Sequence, residues 1–362
     1  MCIRDRDEGT HACDYLLGVD IDMEPISGYK ITSWEKGYGD FHLKLDLNTI
    51  RIADWLYKTA IILCDLEKNH TPVNASPREI LKKQIKIAEE KGYKIKLASE
   101  LEFYVFDNSY QEAKEKSYIG LNPSNRFRED YSLLNTSSEE ALMAKLRNTL
   151  SNSGIEVECT KGEWDLGQQE INVKYSDPLD MADKHVIIKQ AAKELAYQND
   201  MSITFMSKWN EKSAGSSMHI HLSLWDLDDS QNLFYDKTVK SDLKSSDHFQ
   251  WFLGGWMKYS PDIFMFYSPY PASFKRFVSE SFAPTKISWS LDNRTSTFRI
   301  VGEQNSLRIE CRIPGADANP YLAFAASIAA GINGIENKTV SYTHLRAHET
   351  LRYLVCRLLL EK

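Results

Sequence analysis

Long apolar runs are missing from this 362-residue sequence. No stretch reaches the roughly 20 residues that a membrane-spanning helix needs, and the N-terminus has no apolar centre of the kind found in secretory signals. Paired cysteines are missing as well. The six cysteines (Cys2, Cys13, Cys64, Cys159, Cys311, Cys356) are scattered without a C-x-x-C spacing, which argues against a disulfide framework and for reduced thiols. Neither sign of charge dominates: acids and bases are interspersed and the net charge is −7, so a nucleic-acid or membrane-surface footprint is not expected. There is no internal repeat, no low-complexity segment and no Gly-x-x-x-x-Gly-Lys loop, which excludes a P-loop enzyme. The expectation left by these absences is a cytoplasmic protein. With 42% hydrophobic residues, it has material for a large core and more than one domain.

The two ends read as foreign to the fold. The chain opens "MCIRD" and carries "VSYTH" at 340 to 344. Met-Cys-Ile-Arg-Asp can be encoded by atg tgt ata aga gac, whose reverse complement, gtc tct tat aca cat, encodes Val-Ser-Tyr-Thr-His. The pair resembles translated sequencing adapter at both ends of an assembled fragment. Residues 1–6 and 340–362 are therefore set aside from fold reasoning, and both native termini are expected to be missing. The other reading is a native tail with an amphipathic "LRYLVCRLLL" helix.

Between the ends, residues 7–75 read as short strands and turns, for example "YLLGVDIDM", "FHLKLDL" and "TAIILCDLE". A boundary falls before Ser76, where Ser76 as N-cap, Pro77 at N1 and Glu79 at N3 spell a capping box for a helix that stops at Gly92. Residues 76–339 then mix long helices ("SSEEALMAKLRNTLSNSG", "PLDMADKHVIIKQAAKELAYQND", "ANPYLAFAASIAAGINGI") with strands ("KIKLASELEFYVFD", "GQQEINVKYS", "SSMHIHLSLW", "TSTFRIVG", "SLRIECRIPG"). Helices mixed with a largely antiparallel sheet predict an α+β fold.

Chemistry collects on the polar faces of these strands. Side chains repeat every two residues in a strand, so "SSMHIHLSLW" sets Met218, Ile220, Leu222 and Leu224 against a core. Ser217, His219, His221, Ser223 and Trp225 look the other way. Glu100 and Glu102 share one face of "SELEFYVF", where like charges repel unless a cation sits between them; a solvated strand face is the alternative. "GEWDLGQQEINV" adds Glu163 and Glu170 around a turn allowed by Gly167, a weak signal alone. "SLRIECRIPG" puts Leu307, Ile309, Cys311 and Ile313 on one face and Arg308, Glu310 and Arg312 on the other. That second face reads as an ion-pair stripe, or as a ligand beside two anion-binding forks. Arg276, Arg294 and Arg299 add fixed positive charge. Carboxylates with few imidazoles suit Mg²⁺ or Mn²⁺, and metals beside arginines suit a transferring phosphoryl group.

The motifs "ELEF", "GQQEI", "GSSMHIHLSLW", "DNR" and "RIECRIPGADANPYLAFAA", in this order from about Gly9 to Lys338, resemble the glutamine synthetase superfamily. The resemblance implies an N-terminal β-grasp domain, truncated here, at 7–75. It also implies a catalytic domain at 76–339, truncated at its C-terminus, with a curved antiparallel sheet and flanking helices. Members are homo-oligomers of stacked rings with active sites between neighbours. By the same resemblance, Glu102, Glu163 and Glu170 correspond to ligands of one divalent ion, and Glu100, His219 and Glu310 to ligands of a second; a third ion is allowed. His221, Ser223, Arg299 and Arg308 correspond to nucleotide-binding positions, with ATP as co-substrate. Gly215, Arg276 and Arg312 correspond to glutamate-binding positions, and Arg294 and Arg299 to catalytic positions on the transferring phosphate.

Two departures turn the expected nucleophile away from ammonia. Alignment on Arg276 and Pro284 puts Phe282 where ammonia-using members carry a glutamate in the segment matching "SESFAP". Phenylalanine takes no proton but offers an apolar or cation–π wall to a substrate amine. Ala214 stands where an asparagine usually precedes the glutamate-binding glycine. The segment "VDIDMEPISGYKITSWEKGYGDF" also resembles the γ-glutamyl-amine ligase branch. The implied partners are glutamate, an amine or polyamine and ATP, with no nucleic acid and no membrane. Ordinary glutamine synthetase and a non-catalytic relative are the alternatives.

Overall fold

The computed structural model describes residues 8–20, 22–240 and 243–341. The adapter expectation for residues 1–6 and from 342 onward lies outside them. In chain order the elements begin with β1 (Thr10–Cys13), β2 (Asp40–Leu45), β3 (Arg51–Ile52), β4 (Ala60–Ile61), β5 (Cys64–Lys68) and β6 (Thr71–Pro72). Strands β1, β2, β5 and β6 form a four-stranded antiparallel sheet in that order, and β3 pairs with β4. Among the described residues of "YLLGVDIDM" no strand forms. Asp14–Leu17 is a 3-10 turn, and Asp20 Oδ1 accepts from the amides of Asp22 (2.9 Å) and Glu24 (3.0 Å). Turn chemistry of an aspartate thus overrides the apolar alternation.

Helix α1 (Pro77–Glu90) follows, with Ser76 at its N-cap and Pro77 at its first position. The predicted capping box is absent: the Ser76 side chain caps nothing. The first turn instead presents Arg78 inward. Gly92 takes the left-handed φ of +87° that ends the helix. Then come β7 (Lys94–Phe106), α2 (Glu140–Asn152), β8 (Val157–Gly162), β9 (Gln168–Val173), α3 (Pro178–Gln198), β10 (Ser202–Thr204) and β11 (Met218–Trp225). The chain continues with α4 (Asp247–Tyr259), β12 (Trp289–Leu291), β13 (Phe298–Val301), β14 (Arg308–Cys311) and α5 (Pro320–Glu336).

The second half is α+β, as predicted. An eight-stranded sheet runs β12-β13-β14-β11-β7-β9-β8, with β10 also pairing to β7. Its pairs are antiparallel except β12 with β13. The apolar faces of its strands close the core: Met218, Ile220, Leu222 and Leu224 are at most 1% exposed, as are Leu97, Leu101, Ile309 and Cys311. Helices α1 and α3 pack on β7, and α5 packs on α1, α3 and α4. Helix α4 has no counterpart in the sequence reading. Its glycines allow a close helix crossing, since a Cβ on Gly255 would lie 2.4 Å from Gly334 Cα of α5. Among the described residues no helix is long and apolar enough to cross a membrane.

Candidate active site

Strand register brings the charged residues together. Directly opposed residues of antiparallel strands share a face with Cβ atoms about 5 Å apart. Glu100 of β7 lies opposite His219 of β11 and opposite Asn172 of β9, and Glu102 lies opposite Glu170. Across β14, Glu310 lies opposite both His221 and Arg299. One polar row therefore crosses five strands, with a packed core behind it.

At one end of the row is an acid corner. Glu102, Glu163 and Glu170 each offer an oxygen within 4.8 Å of the others. Glu163 comes from the turn after β8, where Gly167, expected to allow a turn, has a φ of +67°. Glu102 accepts from Ser217 Oγ (2.6 Å), Ser217 N (2.8 Å) and Gln168 Nε2 (3.3 Å). Glu170 accepts from Asn172 Nδ2 at 2.7 Å. The cation here is Lys161, whose Nζ lies 2.8 Å from Glu163 and 3.3 Å from Glu170. One ammonium does not balance the corner. Burial, then the charges of Glu100, Glu163 and Glu102, push the Glu170 carboxyl up to about 9. A nearly dry set of oxygen donors with surplus negative charge fits a divalent Mg²⁺ or Mn²⁺ ion.

The middle of the row is balanced differently. Glu100, His221 and Glu310 also bring ligand atoms within 4.8 Å of one another. His219 Nδ1 is 3.0 Å from Glu100 and 3.6 Å from Glu310, and His221 Nε2 is 2.8 Å from Glu100. So the structure gathers His221, expected on the nucleotide, with the same carboxylates as His219. Burial opposes ionisation of Glu100, but the hydrogen bonds from His219 and His221 hold it well below the usual carboxylate range. Fully buried Glu310 is paired with Arg299 Nη1 at 2.9 Å and with Arg312 Nη1. The donors suit a second ion, while much of the counter-charge is already supplied by the protein.

Other expected residues fall into place around this row or away from it. Arg312 Nε is buried without a partner, a donor lacking an acceptor. Arg276 is buried and donates to the carbonyls of Ile313 (2.6 Å) and Arg312 (2.8 Å). Burial lowers its pKa to about 10, which leaves it cationic at neutral pH. Only glycine fits at 215, where a Cβ would lie 2.4 Å from Arg276 Cγ. Arg308 Nε donates to His221 Nδ1 at 3.1 Å, and Ser223 Oγ accepts from Trp225 Nε1 at 2.9 Å. Arg294 and Phe282 stand on exposed segments off the sheet, Phe282 at 57% exposure.

Two cavities open over the row. One, about 640 Å³, is lined by Glu100, Tyr175, His221, Ser223, Trp225 and Arg308. The other, about 680 Å³, shares Glu100, His221 and Arg308 and adds Asp292 and Arg299. Each is large enough for a cofactor-sized ligand. The sequence reading missed Lys161, Asn172 and Tyr175. A period-two count would have found the first two, since Lys161 precedes Glu163 by two and Asn172 follows Glu170 by two.

Residues 74–347 match the family described as glutamine synthetase, catalytic domain. The chain is 43% identical over 333 residues to gamma-glutamylethanolamide synthetase of Streptomyces coelicolor, covering 92% of this chain and 71% of that protein. It is 38% identical to glutamate–isopropylamine ligase of a Pseudomonas species, covering 91% and 72%. It is 33% identical to glutamine synthetase of Methanosarcina mazei, covering 89% and 70%. Among solved structures, GmaS in complex with ADP matches with a TM-score of 0.78 at 26% identity, covering 89% of this chain and 76% of that one.

Proposed function

The chain belongs to the glutamine synthetase family, and on that premise we propose that it joins the γ-carboxylate of glutamate to an organic amine or polyamine at the expense of ATP, through a γ-glutamyl phosphate. The observation that carries the reading is the polar row itself: an acid corner short of positive charge beside an arginine-flanked carboxylate, under cavities of ligand size. Relatives named for an ethanolamide and for isopropylamine, at 43% and 38% identity, support an organic amine over ammonia. So does Phe282, which lacks the carboxylate that an ammonium ion would need.

A carboxylate acylates poorly because oxide is its leaving group, whereas phosphate leaves readily. Glutamate is held by Gly215, Arg276 and Arg312, so that its γ-carboxylate faces the terminal phosphate of ATP. The nucleotide is held by His221, Ser223, Arg299 and Arg308. Arg294 and Arg299 place guanidinium groups where negative charge grows on the transferring phosphoryl group. Glu102, Glu163 and Glu170 would hold one divalent ion, and Glu100, His219 and Glu310, with His221 in reach, a second. When bound, such ions neutralise phosphate charge and polarise the phosphoryl oxygens. Phe282 offers the substrate amine an apolar or cation–π wall in place of a carboxylate.

The reading extends to organisation. Residues 7–75 and 76–339 are two domains, the partners are glutamate, amine and ATP, the setting is cytoplasmic, and the assembly is a homo-oligomer of stacked rings. The test is phosphate release from ATP with glutamate plus ethanolamine, putrescine or spermidine, with products identified by mass. Turnover with at least one amine should exceed that with ammonium. Equal or faster turnover with ammonium would make the protein an ordinary glutamine synthetase. No turnover together with no Mg²⁺-ATP binding by calorimetry would make it a non-catalytic relative.

A further inference from the structure

The segment from Ser213 to Ser217 forms no helix or strand before β11 begins, apart from one antiparallel bridge between Ser217 and Gly315, yet its backbone is held group by group. Ser216 N donates to Ser207 O (2.9 Å), and Gln168 Nε2 donates to Gly215 O (3.1 Å). Ser217 N donates to the ion-corner residue Glu102 (2.8 Å). Ala214 is the position where the chain cannot help itself, because a methyl group makes no hydrogen bond. Its amide instead donates to Asp165 Oδ2 at 2.8 Å. Its carbonyl and the same Asp165 oxygen share the hydroxyl of buried Tyr104, 2.9 Å and 3.0 Å away. Tyr104 has one proton for these acceptors, so the charged Asp165 fixes the clamp. Burial, then the Asp165 charge, keep that hydroxyl protonated well above its ordinary range.

The clamp has consequences at the next residue. With the backbone path at 214 fixed, Gly215 passes against the Arg276 side chain so closely that no Cβ would fit. Arg276 in turn reaches the carbonyls of Arg312 and Ile313. Asp165 itself lies two residues after Glu163. It therefore ties the turn that carries an acid-corner residue to the backbone that shapes the neighbouring arginine pocket.

We infer that Asp165 is a positioning residue for the acid substrate: through the Ala214 amide and Tyr104 it sets Gly215 and Arg276 for glutamate. The inference rests on the proposed role of Gly215 and Arg276 in holding glutamate, and the experiment has two arms that fail separately. In the first, hydrogen exchange of the 213–217 backbone is compared in the unaltered protein, Asp165→Ala and Asp165→Asn. Loss of a charge-assisted hydrogen bond predicts that Asp165→Ala speeds Ala214 exchange by about tenfold or more. Asp165→Asn, which keeps an acceptor oxygen, should stay within a few-fold of the unaltered protein. In the second arm, KM for glutamate rises by about tenfold in Asp165→Ala, KM for ATP stays within about twofold, and Asp165→Asn recovers most of the glutamate affinity.

Unchanged exchange in Asp165→Ala would overturn the clamp. Faster exchange with an unchanged KM for glutamate, or an equal rise in KM for ATP, would overturn the role in glutamate positioning. An unaltered protein whose turnover does not depend on glutamate would overturn the functional reading and this role with it, while the exchange arm would still decide whether the clamp exists.

Discussion

Two clusters of carboxylates lie inside this chain, and they are treated in opposite ways. Around Arg78 of α1, Asp65 of β5 and Asp46, the residue after β2, each approach the guanidinium at 2.7 Å, and Asp183 of α3 approaches at 2.9 Å. Lys82 adds a second cation 2.8 Å from Asp65, and Tyr321 donates to Asp183 at 2.7 Å. In the acid corner, Lys161 is the cation within ion-pair distance of Glu163 and Glu170, Arg276 acts on Glu102 from further off, and Glu100 is close enough to add to the repulsion. The response of the acids differs accordingly. Burial opposes ionisation of Asp65, but Lys82 and Arg78 hold its pKa below the ordinary value, whereas Glu170 is pushed up to about 9. The first cluster is a finished joint between the N-terminal sheet and the helices. The second is unfinished in the protein alone, and that deficit, not the number of acids, is the ground on which an ion is proposed there.

The largest expected effect comes from breaking the finished joint. Arg78→Met leaves three carboxylates facing one another with only Lys82 to offset them. The cost is about 3–5 kcal/mol of stability, as for removal of one partner from a buried pair. Urea denaturation measures it; a loss under 1 kcal/mol would show that the joint is ornamental. The acid limb offers a second reading of the same joint. Asp65 has a folded pKa below its unfolded one, so its contribution is present above the unfolded value near pH 4 and is lost as pH falls through the folded value. The unaltered protein should therefore lose stability below about pH 4, and Arg78→Met should show a weaker acid dependence.

The unfinished cluster should answer a charge deletion with the reverse sign. Glu170→Gln removes a repelled, buried carboxylate, so without metal the protein gains roughly 1 kcal/mol. With Mn²⁺, Glu170→Gln should lose one equivalent of bound ion by calorimetry and about a hundredfold in turnover, about 2.7 kcal/mol at the transition state. A destabilised metal-free Glu170→Gln protein would place this cluster with the Arg78 joint and remove the distinction. An intermediate effect is expected at the balanced middle of the row. Glu310→Ala leaves Arg299 and Arg312 without their shared buried partner, so turnover should fall and the metal-free melting temperature should drop, by less than in Arg78→Met because Arg299 keeps Asp292.

Much of the row was legible because strand periodicity and face are local properties. Glu100 with Glu102, His219 with His221, and Arg308, Glu310 and Arg312 could be paired by counting in twos, and register then joined strands whose polar faces were already known. What could not be read is what depends on distant partners. The Arg78 joint links residues more than 100 positions apart, between Arg78 and Asp183, and no local pattern announces it. The Ser76 capping box was spelled correctly and is not made. Helix α4 was hidden by Gly254 and Gly255, which lower helix propensity but are needed where α4 crosses α5. The 15–23 strand failed because Asp20 organises a turn with its own side chain.

The finest distinction between the clusters concerns their lysines. Lys82 completes a structural joint, so Lys82→Met should cost stability and leave ion binding alone. Lys161 stands in the acid corner as a resident cation, held against Glu163 and Glu170 with the ring of Tyr131 5.6 Å away. A divalent ion entering that corner must compete with it for the same oxygens. Lys161→Met should therefore tighten Mn²⁺ binding by about fivefold, a little under 1 kcal/mol, kept small because the ammonium is partly open to solvent. The metal-free protein should be slightly less stable for the loss of the cation paired with Glu163 and Glu170. Calorimetric titration of Lys161→Met with Mn²⁺ decides it: weaker binding would mean that the ammonium assists the ion rather than standing in its place, and the corner would then be finished by the protein in a way that charge counting alone does not capture.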